Sequence, residues 1–348
     1  MAIWRFFLLT GFTVSMLHCV STLKPEHSYQ LGRDKAQQGD QVGAIRYFDR
    51  AIDNNANFAD AYFERGSSNI KIRNYNGGIA DCTMALQIRP NFTEAYVNRG
   101  YAKSKIKDWE GAIEDFNRAI VIEPHYHLSY LNRGVVRFRT KAYQRAIDDF
   151  NKVIKLKKDI SWAYYWRGTA NKALRKYRIA ISDFDKALEL QVNLAEAWIG
   201  RGSTRMRLRE FNEAIADLNN AIIYSPQDAA AYSLRGSAKG SIGDFSGGFL
   251  DAEKAIKYAP DYAGSYLTRG ELKFHIGDYA GAMADFSKTI ELDAERRDVY
   301  YNRACAKRRL NFPKEDYCQD IAYGNKIGFK LDHTGLSDIE TDILKICK

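Results

Sequence analysis

Residues 93–126 read TEAYVNRGYAKSKIKDWEGAIEDFNRAIVIEPHY, and this stretch contains the pattern that decides the fold. Gly100 lies near the middle of its first half, and Ala112 begins a second group of regularly spaced apolar residues. Tyr96 precedes the glycine by one helical turn, and Phe116 follows the alanine by the same interval. Because residues three or four positions apart share one helical face, the stretch predicts two amphipathic helices joined by a short turn.

The same pattern recurs along the chain with a period of 34 residues. The glycines that mark it are Gly32, Gly66, Gly100, Gly134, Gly168, Gly202, Gly236 and Gly270. Aromatic residues stand four positions before most of them, as Tyr62, Tyr96, Tyr130, Tyr164, Trp198, Tyr232 and Tyr266. A fixed period of this length predicts one stacked-repeat array in place of separate globular domains.

This pattern resembles the tetratricopeptide repeat, a helix-turn-helix unit of the same period with small residues at its eighth and twentieth positions. In that frame the repeats begin near Pro25, Ala59, Thr93, His127, Ser161, Ala195, Ala229, Ala263 and Arg297. The resemblance covers residues 25–325 as nine tandem repeats. It implies an all-α fold, a right-handed superhelical solenoid of stacked helix-turn-helix repeats. Residues 326–348 are expected to form a C-terminal capping segment with a short helix, because a terminal repeat must cover an exposed apolar face.

The turns between paired helices carry two kinds of residue at one repeat position. Gly39, Gly243 and Gly277 suit a left-handed turn, and the aspartate after each predicts a helix N-cap. The central repeats instead carry cations at this position, namely Lys107, Lys141, Arg175 and Arg209. We expect these cations to adopt the same left-handed conformation at a cost of at most about 1 kcal/mol per turn.

Residues 1–21 lie outside the repeats and predict an export signal. A basic start, Met1–Arg5, precedes an apolar run, Phe6–Leu17, that is shorter than the roughly 20 residues of a membrane span. We expect a signal peptide cleaved after Ser21. A lipoprotein signal acylated at Cys19, and an uncleaved anchor, are the alternatives. Each alternative makes the protein an exported one, periplasmic, in the cell envelope or secreted, and no membrane span is expected in the mature chain.

The cysteines of the mature chain have different expected roles. Cys82 occupies a position that is phenylalanine in other repeats, which predicts a buried apolar side chain. In an oxidising compartment Cys318 could form a disulfide with Cys347, and Cys305 is a rival partner for that bond.

The net charge of +9 raises the question of nucleic-acid binding. An arginine directly precedes the repeat glycine, as in Arg99 and Arg133, and an aspartate recurs sixteen residues later, as in Asp115 and Asp149. Such matched rows on paired helices predict a structural ion-pair ladder. The chain has no RNA-binding motif, so no nucleic-acid partner is expected.

Sequence motifs for catalysis are absent. His125 and His127 flank a turn, but no third ligand lies near them in sequence, so no metal site is expected. The repeat glycines are regularly spaced packing residues and form no phosphate-binding loop. We therefore expect no enzyme activity and no cofactor.

The resemblance implies that helix A positions 2, 5, 9 and 12 line a concave surface. In the fourth repeat these positions are all apolar, and they are Leu128, Leu131, Val135 and Phe138. Neighbouring repeats add Val97, Tyr101, Trp162 and Tyr165, and the flanking cations are Lys105, Arg139 and Lys172. An apolar stripe bordered by charge is typical of a peptide-binding groove. The alternative is that Val97, Leu131 and Tyr165 only pack one helix A against the next.

These features predict a non-enzymatic scaffold that mediates protein–protein interaction by binding a segment of a protein or peptide partner in its concave groove. Two other functions remain open. The chain could be a structural or envelope-assembly component that self-associates as a homo-oligomer through its end repeats. It could also be the non-catalytic arm of an enzyme complex.

Overall fold

A computed structural model describes residues 24–326 and Cys347. The export signal at residues 1–21 and the short helix expected within residues 326–348 lie outside the described residues. In the part that is described, the regular secondary structure is entirely α-helical. The helices are α1 Pro25–Gln37, α2 Gln41–Asn54, α3 Ala59–Lys71, α4 Tyr75–Ile88, α5 Thr93–Lys105, α6 Trp109–Ile122, α7 His127–Arg139, α8 Tyr143–Leu156, α9 Ser161–Ala173, α10 Tyr177–Leu190, α11 Ala195–Arg207, α12 Phe211–Tyr224, α13 Ala229–Ser241, α14 Phe245–Tyr258, α15 Ala263–His275, α16 Tyr279–Leu292, α17 Arg297–Arg309 and α18 Lys314–Lys326.

The helices form two compact units. Residues up to Lys157, with α1 to α8, form the first unit, and residues from Lys158, with α9 to α18, form the second. In each unit an odd-numbered helix packs on the even-numbered helix that follows it, and that helix packs on the next odd-numbered one. Each unit is therefore a stack of helix-turn-helix repeats. None of the described helices is long and apolar enough to cross a membrane.

The small residues of the repeat let the two helices of a pair approach closely. Phe150 of α8 is fully buried, and its ring lies against Gly134 of α7. A Cβ atom added at Gly134 would lie only 2.6 Å from Cε1 of Phe150. Equivalent close contacts join Gly100 to Phe116 and Gly270 to Phe286. The 34-residue period thus records one packing contact that is repeated along each stack.

The turns adopt the left-handed conformation that their position in the repeat predicts. Gly39, Gly243 and Gly277 have φ angles of 85° to 86°. The other residues with positive φ are Arg73, Lys107, Lys141, Arg175, Arg209 and Asn311. A side chain at such a position costs up to about 1 kcal/mol relative to glycine. Side-chain N-caps then begin several of the following helices, as Asp40 does by accepting a hydrogen bond from the Gly43 backbone N–H.

The predicted ion-pair ladder is present in both units. Arg133 donates from Nη2 to Oδ1 of Asp149 at 2.6 Å, and Arg137 approaches the other oxygen of that carboxylate at 2.8 Å. The Arg133 guanidinium also donates to Asn117 of the preceding repeat at 2.6 Å. Arg235 makes the same two contacts in the second unit, with Asp251 and Asn219. The ladder therefore joins the helices of one repeat to each other and to the repeat before.

The cysteines take separate positions. Cys318 forms a disulfide with Cys347, with 5.3 Å between the Cα atoms, so the pairing that the sequence left open is with Cys347. Cys305 is buried in a core cluster with Tyr301 and Ile321 and takes no part in that bond. Cys82 is fully buried, as its phenylalanine-like position predicts.

Candidate functional site

A cavity of about 200 Å³ lies between α5 and α7 in the first unit. Its lining residues are Tyr101, Ser104, Lys105, Lys107, Trp109, Asn132, Val135, Val136 and Arg139. Four of them, Tyr101, Lys105, Val135 and Arg139, are residues that the sequence predicted for a partner-binding groove. Helix packing brings them together because successive odd-numbered helices of the stack contact each other along one side. We call this feature the α5–α7 cavity.

The α5–α7 cavity combines an apolar wall with an aromatic ring. Val135 is half-buried, and Tyr101 leaves 36% of its side-chain surface exposed. The ammonium of Lys105 lies 4.9 Å from the centre of the Tyr101 ring, within the range of a cation–π contact. An apolar group and a negative charge on one ligand could both find partners here.

The cations of the α5–α7 cavity differ from those of the ion-pair ladder. Among the described residues, no carboxylate lies within 4.0 Å of the side-chain nitrogens of Lys105, Lys107 or Arg139. In contrast, Lys103 on the same helix is 2.9 Å from Oδ2 of Asp115 and belongs to the ladder. Uncompensated positive charge beside an apolar wall favours an acidic ligand.

The other predicted residues of α7 are partly buried. Leu128, Leu131 and Phe138 each retain some exposed surface. The ring of Phe138 packs near Tyr143 at the start of α8, with 5.5 Å between ring centres. Asn132, which lines the cavity, donates from Nδ2 to the carbonyl of Leu128 at 3.0 Å.

Val97 does not line the groove that the sequence predicted. Its side chain is only 5% exposed and lies in a core cluster with Phe116 and Val136. Val97 therefore packs α5 on its neighbours and does not line a surface, which is the alternative that the sequence left open. The physical reason is that position 5 of this helix faces the next helix A, where a valine fills the contact.

Three predicted residues belong to the second unit. Trp162 of α9 is 37% exposed, and its ring meets Tyr165 edge-on with 5.3 Å between ring centres. Tyr165 is half-buried, and burial raises the pKa of its phenol. Trp162 and Tyr165 thus form an aromatic pair on α9.

Lys172 is less accessible than its predicted role as a flanking cation requires. Its ammonium donates to the Ser203 hydroxyl of α11 at 3.0 Å. Burial lowers the pKa of Lys172, and the nearby Arg207 guanidinium lowers that pKa further. The α9 and α11 helices therefore enclose this lysine, and the sequence of a single repeat does not reveal the enclosure.

Sequence reasoning did not assign Lys107, Trp109 or Asn132 to the site. Lys107 has a left-handed backbone conformation at a turn position where other repeats have glycine. The lysine in place of glycine was the feature of the sequence that could have drawn attention to this residue. Trp109 and Asn132 come from two different repeats, and only the stacking of α5 on α7 brings them to one cavity.

Reactive groups are rare among the described residues. In that part of the chain no group of three or more histidine, cysteine, aspartate or glutamate side chains is arranged to hold a metal ion. Burial raises the pKa of the Cys82 thiol to about 12, and the neighbouring Asp81 carboxylate adds to the effect, so the thiolate is strongly disfavoured. In the second unit burial raises the pKa of Glu271 to about 7, with a further contribution from Asp298.

Comparisons with known proteins agree with this architecture. The fold is similar to that of a tetratricopeptide repeat protein from Parabacteroides merdae ATCC 43184, which is 19% identical over 80% of this chain and 97% of that chain, with a TM-score of 0.53. The structure described as Pseudomonas aeruginosa pilF is 17% identical over 62% of this chain and 97% of that chain, with a TM-score of 0.56. The APC/C hetero-tetramer Cut9-Hcn1 is 14% identical over 93% of this chain and 62% of that chain, with a TM-score of 0.62. At these identities the similarities show the fold alone.

Similarity at the level of sequence families is more specific. No curated protein matches the sequence. The family model described as tetratricopeptide repeat matches residues 29–91, 97–159 and 165–229, which together make up more than half of the chain. These matches fall on the stacked helix pairs described above. The chain therefore belongs to the tetratricopeptide repeat family.

Proposed function

We propose that this protein is a non-enzymatic scaffold that binds a segment of a partner protein at the α5–α7 cavity. Tetratricopeptide repeat proteins are generally protein-interaction scaffolds that bind protein or peptide partners on the surfaces of their stacked helices. The observation that carries the proposal is the combination of Tyr101, Val135 and three uncompensated cations around one cavity.

The chemistry of the α5–α7 cavity favours a particular kind of segment. An apolar side chain of the partner can enter between Tyr101 and Val135, where desolvation supplies binding energy. An acidic residue beside it can reach Lys105, Lys107 or Arg139, which also increase the association rate of a negatively charged partner. The partner segment is therefore acidic, with at least one large apolar residue.

The aromatic pair on α9 offers a second contact of the same kind. Trp162 is exposed enough to pack on a partner, and Tyr165 holds its ring in an edge-on arrangement. A truncation of Trp162 to alanine therefore tests the second unit separately from the α5–α7 cavity.

Crosslinking combined with mass spectrometry tests the proposed function in a native extract. Lys105 is exposed, so an amine-reactive crosslinker can link it to a bound segment. Lys103 and Lys172 are poor reporters because one is in the ladder and the other is enclosed. Links from Lys105 to an acidic segment of one other protein would support the proposal. Links only between copies of this chain, centred on its end repeats, would support a self-associating structural component and contradict the proposal.

Export is also a proposal. The basic and apolar pattern of residues 1–21 supports it, and so does the Cys318–Cys347 disulfide, because disulfides persist mainly in oxidising compartments. N-terminal sequencing of the native protein tests export. A start after Ser21 would support a cleaved signal, an acylated N-terminal Cys19 would support a lipoprotein, and a start at Met1 would contradict both.

A further inference from the structure

Cations recur at the turns between the paired helices of the first unit. They occupy two positions of each turn in three successive repeats, at the ends of α3, α5 and α7. We call this row the basic edge, and it consists of Lys71, Arg73, Lys105, Lys107, Arg139 and Lys141. All six side chains are exposed. Because equivalent positions of stacked repeats lie along one border of the stack, the six charges form a single row.

The positive charge of the basic edge is largely uncompensated. Within residues 24–326, no carboxylate lies within 4.0 Å of the side-chain nitrogens of these six residues. The acids at the three turns are Asp108 and Glu110, and Asp108 accepts a hydrogen bond from the Gly111 backbone N–H as the N-cap of α6. Six cations thus face two acids at these turns, and a third acid, Glu64 of α3, lies near enough to Lys71 that the lysine offsets part of the rise in the Glu64 pKa that burial causes.

The fold does not require cations at these turns. The first turn of the same unit has Gln37 and Gly39 at the equivalent positions, and Asp40, which follows them, lies with Oδ2 3.7 Å from Nζ of Lys35. Arg73, Lys107 and Lys141 instead hold φ angles of 63° to 66°, a conformation that glycine adopts without strain. Before α8 the aspartate is replaced by Ala142, which provides no side-chain cap. Each of these turns therefore has a cation in a strained conformation, and the turn before α8 also lacks a side-chain cap. Neither helix packing nor helix capping explains the cations.

An exposed isoleucine lies between the two cations in two of these turns. Ile72 is 44% exposed between Lys71 and Arg73, and Ile106 is 46% exposed between Lys105 and Lys107. The third turn has Thr140 at this position. Ile242 and Ile276 are exposed at the same repeat position beside glycine turns, so the cations that flank Ile72 and Ile106 are what distinguishes the basic edge.

We propose that the basic edge docks on the surface of an anionic phospholipid bilayer. Lysine and arginine side chains interact with phosphate groups at the bilayer surface, and isoleucine side chains enter the boundary of the acyl region below them. The six cations are exposed along one border of the stack, so a single extended surface can contact them together. A short acidic segment such as the proposed partner can reach the three cations at the α5–α7 cavity, whereas a bilayer surface can contact all six cations and both isoleucines together.

Some turns of the second unit also have cations at the left-handed position. Its first two turns place Arg175 and Arg209 in the left-handed conformation, and Lys176 follows Arg175 where other turns have an aspartate. The later turns of this unit return to glycine and aspartate, at Gly243–Asp244 and Gly277–Asp278. The exchange of glycine for a cation at the left-handed position is thus confined to particular turns and is not a property of every repeat.

Flotation with lipid vesicles tests the proposal on the full chain. The vesicles are phosphatidylcholine alone or an equimolar mixture of phosphatidylcholine and phosphatidylglycerol. The test variant is K71Q/R73G/K141G, which removes three cations that do not line the α5–α7 cavity and which places glycine at two strained turn positions. The matched control is R46Q/R118Q/K155Q, which removes three exposed cations from even-numbered helices of the same unit.

The proposal expects wild-type protein to bind the mixed vesicles in preference to the neutral ones. It expects the test variant to lose about tenfold or more in affinity for the mixed vesicles, and the control to stay within about twofold of wild type. Equal binding by wild type and the test variant would overturn the proposal. An equal loss in the control would also overturn it, because binding would then follow net charge alone.

A second variant separates lipid from acidic polypeptide. The proposal expects I72S/I106S to weaken binding to the mixed vesicles and to leave binding to soluble polyglutamate unchanged. If this variant binds the vesicles as wild type does, the edge takes polyanions in general and the lipid proposal is wrong. Circular dichroism of every variant checks the fold. Crosslinks from Lys105 to a partner, measured on K71Q/R73G/K141G, report separately on the proposed function.

Discussion

Arg99 and Asp115 form a two-pronged contact across the first unit's third helix pair. Arg99 donates from Nη2 to Oδ1 of Asp115 at 2.6 Å and from Nε to Oδ2 at 3.0 Å. The carboxylate is buried, and Lys103 approaches its second oxygen at 2.9 Å. The same guanidinium donates to Thr83 of the preceding repeat at 3.2 Å. One arginine thus links two helices of its own repeat and the repeat before it.

The first prediction concerns this buried carboxylate. Asp115→Asn should lower the free energy of unfolding by about 3 kcal/mol, because it leaves two cations beside a buried neutral group. Urea denaturation followed by circular dichroism measures the effect. Glu114→Gln, on the exposed side of the same helix, should change stability by less than about 0.5 kcal/mol. Equal stability of Asp115→Asn and wild type would show that the ladder does not hold the repeats together.

The second prediction concerns the contact that sets the repeat period. Gly134→Ala should destabilise the protein by about 1 to 3 kcal/mol, because the new methyl group would displace the buried ring of Phe150. Thermal denaturation of G134A, of F150L and of G134A/F150L measures the loss of stability.

The double variant should recover part of the loss. The last helix pair already has Ala304 in place of the glycine, and Ala304 packs in a cluster with Ile321 of α18, a helix that contains no phenylalanine. If the double variant loses at least as much stability as G134A and F150L lose together when measured singly, the methyl group and the ring do not compete for one space.

The third prediction follows from the raised pKa of Glu271, about 7 in the folded protein, which burial causes. The unfolded chain releases this proton near pH 4.3, so between about pH 4.5 and 7 the folded state binds more protons. Stability contributed by Glu271 therefore falls as the pH rises through this range. Glu271→Gln should remove that fall, so the variant should be more stable than wild type by about 2 to 3 kcal/mol near pH 8 and by little near pH 4.5.

Urea midpoints across this pH range test the prediction for Glu271. Glu253→Gln, at an exposed position of the same unit, serves as the control and should keep the wild-type dependence on pH. An equal stability difference between Glu271→Gln and wild type at every pH would contradict the raised pKa.

The fourth prediction concerns Cys82. Its thiol is fully buried and has a pKa of about 12, so iodoacetamide should not alkylate it in the folded protein near pH 8. Addition of urea should expose the thiol, and the alkylation rate should rise by a factor of at least about 100. Mass spectrometry of the peptide that contains Cys82 follows the reaction. Rapid alkylation without denaturant would mean that the α4 region opens locally.

Much of the fold could be predicted from the sequence, because one contact is repeated at one interval. Gly134 and Phe150 are sixteen residues apart because they pack together where two paired helices approach closely. The odd-numbered helices begin at the residues near which the repeat frame places the start of each repeat. The ladder could be predicted for the same reason, since each arginine and aspartate is matched within one repeat.

The candidate site was less predictable because it depends on contacts between repeats. Position within the repeat did not show that Val97 faces the next helix A, or that α11 encloses Lys172. The glycines of the seventh repeat illustrate the same point. Gly240 and Gly248 both make room for Leu272 of the next repeat. Whether such a residue is buried or exposed therefore depends on the side chain that packs on it from the following repeat.

The central claim is that a partner segment binds at the α5–α7 cavity, and matched charge reversals test it most directly. Arg139→Glu reverses a charge in that cavity, and Arg118→Glu reverses an exposed arginine in a different cavity of the same unit. The measurement is the yield of the crosslink between Lys105 and its partner in native extract. The account predicts a loss of about tenfold or more for Arg139→Glu and a yield near that of wild type for Arg118→Glu. An unchanged yield for Arg139→Glu, or the same loss for both variants, would contradict the claim.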